Sequence, residues 1–244
     1  MKTLVRIITV SIVAILTTSC NFDLNFGPGV NGDGNVITET RKVTSEFEKI
    51  SVSRGIDVIL TQGNTLSIVV EADQNLLDVI TTELDEDNNT LLISSNQNIK
   101  SSASKKVILT VKDLSSISTT SGSNVFSENA LNTDKLTISS TSGSHIDLNI
   151  EANTLKLNTT SGAGIEISGT TENLSVAATS GSYIRANSLK AQSTTVSATS
   201  GASIFVNTTK ELKASATSGA SIKYEGDPER VDKSSGVSGS IKKA

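Results

Sequence analysis

The sequence predicts an all-β protein: a parallel β-solenoid with coils of about 20 residues, in which a broader, irregular N-terminal module leads into a regular repeat. Three observations carry this expectation. A Thr-Ser-Gly phrase recurs with its glycine at Gly122, Gly143, Gly162, Gly181, Gly201 and Gly219, followed by a degenerate copy at Gly236. The spacings run from 17 to 21 residues, a period typical of stacked units. Around each glycine, apolar side chains fall at odd offsets and polar ones at most even offsets, as in strands that bury one face.

The repeat, residues 116–224, is read first. Five places before the glycine stand Ile117, Ile138, Leu157, Val176, Val196 and Ala214. Three places after it stand Val125, Ile146, Ile165, Ile184, Ile204 and Ile222. The even place four after holds Phe126, Asp147, Glu166, Arg185, Phe205 and Lys223. No helical period fits. One such coil cannot bury its apolar face alone, so the coils must stack, strand on strand, about 4.8 Å apart.

Next to the glycine the odd places hold small residues, Ala178, Ser180 and Ser182 in one coil and Ala198, Ser200 and Ala202 in the next. All six are expected to point inward at a narrow bend, with the glycine at positive φ and the buried hydroxyls bonded to backbone or to each other. Alternation turns the threonine two places before the glycine outward, which makes a column of Thr141, Thr160, Thr179 and Thr199; a phase reset at the corner would turn it in.

Residues 36–115 carry strand-like runs such as "GIDVILTQG" and "LSIVVEA", one candidate helical turn ("NLLDVI") and one acidic turn ("DEDNN"). They are expected to form irregular coils that start the stack and shield its first edge. Residues 225–244, with Pro228 and mixed charge, are expected to break the repeat and cap the other end.

The chain opens like an export signal, residues 1–19: Lys2 and Arg6 precede an apolar run over 7–16 that is short for a membrane span. It ends at Cys20, the single cysteine, in the setting "LTTSC". A small residue before a lone cysteine at this place resembles the lipobox of bacterial lipoproteins, although Thr17 stands where leucine is usual. Cys20 is therefore the expected lipid attachment site and the outer membrane the expected address, with residues 20–35 as a flexible tether. Within the tether, "NGDGN" lacks the acidic spacing of a calcium loop.

Composition narrows the chemistry. Net charge is −4; loss of Lys2 and Arg6 with the leader leaves 19 basic against 25 acidic residues, or −6. That balance gives no electrostatic basis for nucleic-acid binding. His145 is the only histidine, so triads and histidine or cysteine zinc sites are unavailable, and no metal or cofactor is expected. Asp147 and Glu166 share a column on successive coils, but Arg185 follows them there, which reads as a neutralising ladder rather than a catalytic pair. Phe126, Tyr183 and Phe205 occupy outward places, and exposed rings suit sugars. With the threonines they form the candidate ligand-binding set, while His145 reads as an ordinary surface residue. The expected role is a non-catalytic adhesion or binding module for a glycan or surface protein. A carbohydrate-active enzyme and a structural spacer are the alternatives.

The blocks "RGIDVILTQG", "VEADQNLLDVI" and "LSSISTTSGSNV", followed by the glycine-punctuated coils, resemble the head GIN domain family over residues 47–224. That family, labelled putative auto-transporter adhesins, is common among Bacteroidetes lipoproteins and exported proteins. The resemblance implies a two-module parallel β-solenoid; it carries no ligand and no functional residue with it.

Overall fold

The computed structural model describes residues 28–43 and 45–244; the leader and Cys20 lie outside them. The fold is a β-solenoid of about seven turns with about 19 residues per turn. Each coil has a leading strand before the Thr-Ser-Gly corner and a trailing strand after it. The long strands His145–Thr159, Gly164–Ala178, Tyr183–Ala198 and Ser203–Ala216 trail in one coil, bend, and lead in the next.

Two superposed columns run the length of the interior. On the trailing side Val107, Val58, Val125, Ile146, Ile165, Ile184, Ile204, Ile222 and Ile241 stand in register. On the leading side Leu91, Ile50, Ile117, Ile138, Leu157, Val176, Val196 and Ala214 do the same. Ile146, Ile165, Ile184 and Ile204 are at most 1% exposed, so each isoleucine rung contributes about 1.5–3 kcal/mol by burial.

The corner departs from simple alternation. Ser180 and Ser200, expected inside, are exposed, whereas Ala178, Ser182, Ala198 and Ala202 are buried. The serine before each glycine has φ of 53–55° and the glycine 68–76°. Two successive left-handed residues make a turn of the I′ kind, closed in one coil by Ser182 N–H donating to the Thr179 carbonyl at 3.3 Å. Both turn residues project outward, and the strand re-enters with its inward face restored. A Cβ on Gly181 would meet nothing within 4 Å, so backbone conformation alone requires the glycine.

Buried hydroxyls are satisfied as expected. Ser144 Oγ lies 2.8 Å from Ser140 Oγ and donates to the Thr141 carbonyl at 2.7 Å. One coil on, Thr159 donates to Ser182 Oγ of the coil after it at 2.9 Å.

An additional copy of the repeat lies in the N-terminal region. Arg54 and Gly55 have φ of 59° and 72°, and Ile50 and Val58 sit five before and three after that glycine. This coil is not the start of the stack. Strand Lys49–Val52 pairs with Ser116–Thr119 on one side and Thr90–Ser95 on the other. Strand Asp57–Gln62 likewise lies between Asn124–Ser127 and Lys105–Val111. Beyond it the pairing turns antiparallel: Ile80–Asp85 returns along Thr90–Ser95, Ser67–Asp73 along Lys105–Val111, and Val36–Arg41 along Ser67–Asp73. The irregular coils expected there do begin the stack, with Thr90–Ser95 and Lys105–Val111 parallel to the Gly55 coil, but the strands that shield its edge are antiparallel additions, which close the end without a further crossover. The helical turn is a single 3₁₀ turn, Gln74–Leu76, and the acidic turn joins two antiparallel strands.

At the other end, residues 225–244 add one more coil instead of breaking the stack. Arg230–Ser235 pairs with Ser203–Ala216 and Ser240–Lys243 pairs with Ser221–Glu225. Ser238, with φ of 59°, takes the glycine's place in this last corner, while Gly236 occupies the threonine's. Arg230, Asp232, Lys233, Lys242 and Lys243 line these outermost strands, and such charges discourage further strand addition.

Part of the expected tether is folded. Gly29–Asn31 pairs with Asn98–Ser101, and the buried Asp73 carboxylate accepts hydrogen bonds from Gly34, Ala103 and Ser104 N–H, each at 2.9 Å. "NGDGN" is therefore a turn built around Asp73. These backbone bonds, the one from Ser104 foremost, hold the Asp73 pKa below its usual value. A lowered carboxyl pKa adds stability above the unfolded value, near 4, and loses it as pH falls through the folded value. Exchange of the Gly34, Ala103 and Ser104 amides, taken relative to the intrinsic rate at each pH, is expected to quicken below about pH 4. In Asp73→Ala it is expected to be at least about tenfold faster at pH 7. Hydrogen-exchange mass spectrometry checks both, and an unchanged rate in the variant counts against the clasp.

Candidate ligand-binding face

The outward places of the trailing strands gather the rings. Asn124, His145, Gly164 and Tyr183 stand in register two places after their glycines, and Phe126, Asp147, Glu166, Arg185 and Phe205 two places further on. The Tyr183 side chain leans along the stack, so residues on different rungs meet. The Phe126 and His145 rings are 6.1 Å apart between centroids, and His145 and Tyr183 are 6.4 Å apart. Tyr183 Oη lies 3.3 Å from His145 Nδ1, reaching across the rung between them.

Gly164 makes that reach possible. A Cβ there would lie 2.3 Å from Tyr183 Cζ, so any other residue would lift the ring. Its φ is not in the left-handed region; the glycine is needed for space, unlike those at the corners. The Arg185 guanidinium carbon sits 4.7 Å from the Tyr183 ring centroid, in cation–π range, and the guanidinium donates to Glu166 at 2.5 Å. Phe205 follows Arg185 on the next rung. Phe126, His145, Tyr183 and Phe205 are all half-buried.

The structure thus joins residues that looked scattered. Phe126 and Tyr183 form one surface through His145, which was expected to be incidental. The empty place at Gly164 next to a tyrosine was the available signal, but period-two reasoning treats rungs separately and does not register it. The ladder reading of Asp147, Glu166 and Arg185 matches the Glu166–Arg185 ion pair. Asp147 is exposed and Glu166 half-exposed.

Thr141, Thr160, Thr179 and Thr199 are elsewhere. They lie half-exposed on the leading side of the corner, where with Ser139, Asn158, Ala177 and Ser197 they line an uncharged trough of about 530 Å³. The corner separates threonines from rings, so the candidate set divides between two faces. Among the described residues no group of three or more His, Cys, Asp or Glu could hold a metal ion, and no helix is long and apolar enough to cross a membrane.

Fold and surface together define a β-solenoid that displays an aromatic and ionic strip on an otherwise Ser- and Thr-rich exterior. Residues 46–228 match the family described as "putative auto-transporter adhesin, head GIN domain", and the chain belongs to that family. Solved structures share the fold. A putative adhesin from Bacteroides fragilis is similar with a TM-score of 0.82 at 24% identity, over 88% of this chain and 100% of that one. A putative lipid binding protein from Parabacteroides distasonis has a TM-score of 0.73 at 23% identity, covering 88% and 99%. A putative adhesin from Parabacteroides merdae has a TM-score of 0.72 at 19% identity, covering 88% and 98%. A comparison with curated proteins returns no match. The family's description is that of a cell-surface or envelope protein that binds, and none of these names refers to a reaction.

Proposed function

We propose that the chain is a lipid-anchored, non-catalytic binding module of the cell envelope whose trailing face contacts a glycan or a surface protein. The observation that carries this reading is the continuous run from Phe126 through His145 and Tyr183 to Arg185. Rings held by neighbours lose little conformational freedom on contact, which favours recognition. Against catalysis by Asp147 and Glu166 stands their placement on one face of a sheet, with Glu166 engaged by Arg185.

Anchoring rests on the lipobox-like "LTTSC" and on the place of Gly29 in the fold. Gly29 pairs beside the antiparallel end of the stack, and the nine residue steps from Cys20 to Gly29 can span at most about 30 Å. A lipid on Cys20 would hold that end near the bilayer and leave the solenoid's long faces accessible.

Two measurements on the full-length protein test this reading. Cys20→Ser is expected to move it from the detergent phase to the aqueous phase on Triton X-114 partition; unchanged partition overturns the anchor. A glycan and surface-protein binding screen is run beside a hydrolysis assay, with binding and no turnover as the expected result. Turnover abolished by Asp147→Ala or Glu166→Ala would establish the enzyme alternative. Absence of binding at this face would leave the spacer.

A further inference from the structure

The ring columns run parallel to the solenoid axis. Phe126, His145, Glu166, Tyr183 with Arg185, and Phe205 lie on five consecutive rungs, so the strip extends about 19 Å at one rung per 4.8 Å. An occupant that uses all of it must be long and narrow. Pairing with Glu166 neutralises Arg185 yet leaves guanidinium N–H groups to donate, and exposed Asp147 accepts. The strip's free charge is thus one carboxylate on a chain already at −4, which disfavours anions.

The Tyr183 ring is seated before any ligand arrives, over the space at Gly164, against Arg185 and with its hydroxyl on His145. Small polar side chains bound the pair in the same column, Ser203 next to Tyr183 and Asn124 next to His145. Apolar faces alternating with hydroxyl-binding groups match the two chemical sides of a pyranose: C–H faces for rings, hydroxyls for Asp147 and Arg185. A protein interface would instead centre on a contiguous apolar core depleted of charge. Here an ion pair occupies the centre.

We propose that the trailing face binds a neutral, linear oligosaccharide lying along the solenoid axis, in contact with about four or five sugar units. This deepens the binding-module reading and rests on it.

The test is titration calorimetry of the full-length protein in detergent with neutral gluco-, manno- and xylo-oligosaccharides from mono- to hexasaccharide, and with oligogalacturonates as the anionic comparison. Affinity is expected to rise with chain length to about the tetra- or pentasaccharide and then level off, with oligogalacturonates weaker. Tyr183→Ala and Arg185→Gln are each expected to weaken binding at least about tenfold. Lys213→Ala, exposed on the leading side of the corner, should bind normally and serves as the control variant. Length-independent binding, preference for the anionic series, absence of binding to every neutral series, or full affinity in Tyr183→Ala overturns the proposal. A protein ligand that depends on Tyr183 while no sugar binds would also overturn it, yet would leave the binding-module reading standing. A ligand insensitive to every trailing-face substitution would remove both.

Discussion

Ile184→Ala is expected to destabilise the protein by about 2–5 kcal/mol, against less than about 0.5 kcal/mol for Lys213→Ala. Ile184 is 1% exposed and packs in register between Ile165 and Ile204, so truncation opens a cavity that neighbouring rungs can only partly fill. Lys213 points into solvent. Because each coil touches mainly the coils beside it, the damage should be local as well as large. Denaturant titration measures its size. Hydrogen exchange should show the loss of protection centred on residues 165–206. A shift below about 1 kcal/mol, or protection lost evenly along the stack, contradicts the one-dimensional core.

Replacing all six corner serines with asparagine is expected to stabilise the protein, by a few tenths of a kcal/mol per turn and about 2–3 kcal/mol in all. Ser121, Ser142, Ser161, Ser180, Ser200 and Ser218 hold φ of 53–55°, where serine is strained and asparagine is at ease. Little is given up, since the serine hydroxyls are exposed and Ser180 Oγ is as far as 3.5 Å from the Thr179 hydroxyl. The same turn predicts a cost of about 1–2 kcal/mol for Gly181→Val, even though the added side chain has open space around it. An unchanged denaturation midpoint in the six-fold variant would show that the turn does not strain its serines.

The two columns were readable in the sequence because a glycine at fixed distance marks the phase of a strict alternation. The exposed corner serines were not. A turn of two left-handed residues takes up an even number of places, so parity continues across it and conceals the exception at Ser180 and Ser200. The copy at Gly55 was hidden by its corner, Ser-Arg-Gly in place of Thr-Ser-Gly, and by the 67 residues separating it from Gly122; Ile50 and Val58 at matching offsets were the remaining trace. The antiparallel end could not be read from the pattern, since a half-buried strand alternates in the same way whichever direction its neighbour runs. At the candidate face, single residues were legible and their contiguity was not. It depends on side chains leaning from rung to rung and on a glycine whose role is the absence of a side chain.

The position of the Gly55 coil in the middle of the stack bears on how the polypeptide is made. Synthesis delivers Lys49–Gln62 early, yet one flank of that coil stays bare until residues 116–127 have left the ribosome, more than fifty residues later. Until then a nascent chain exposes two unpaired strand borders, whereas every later coil is laid directly onto its immediate predecessor.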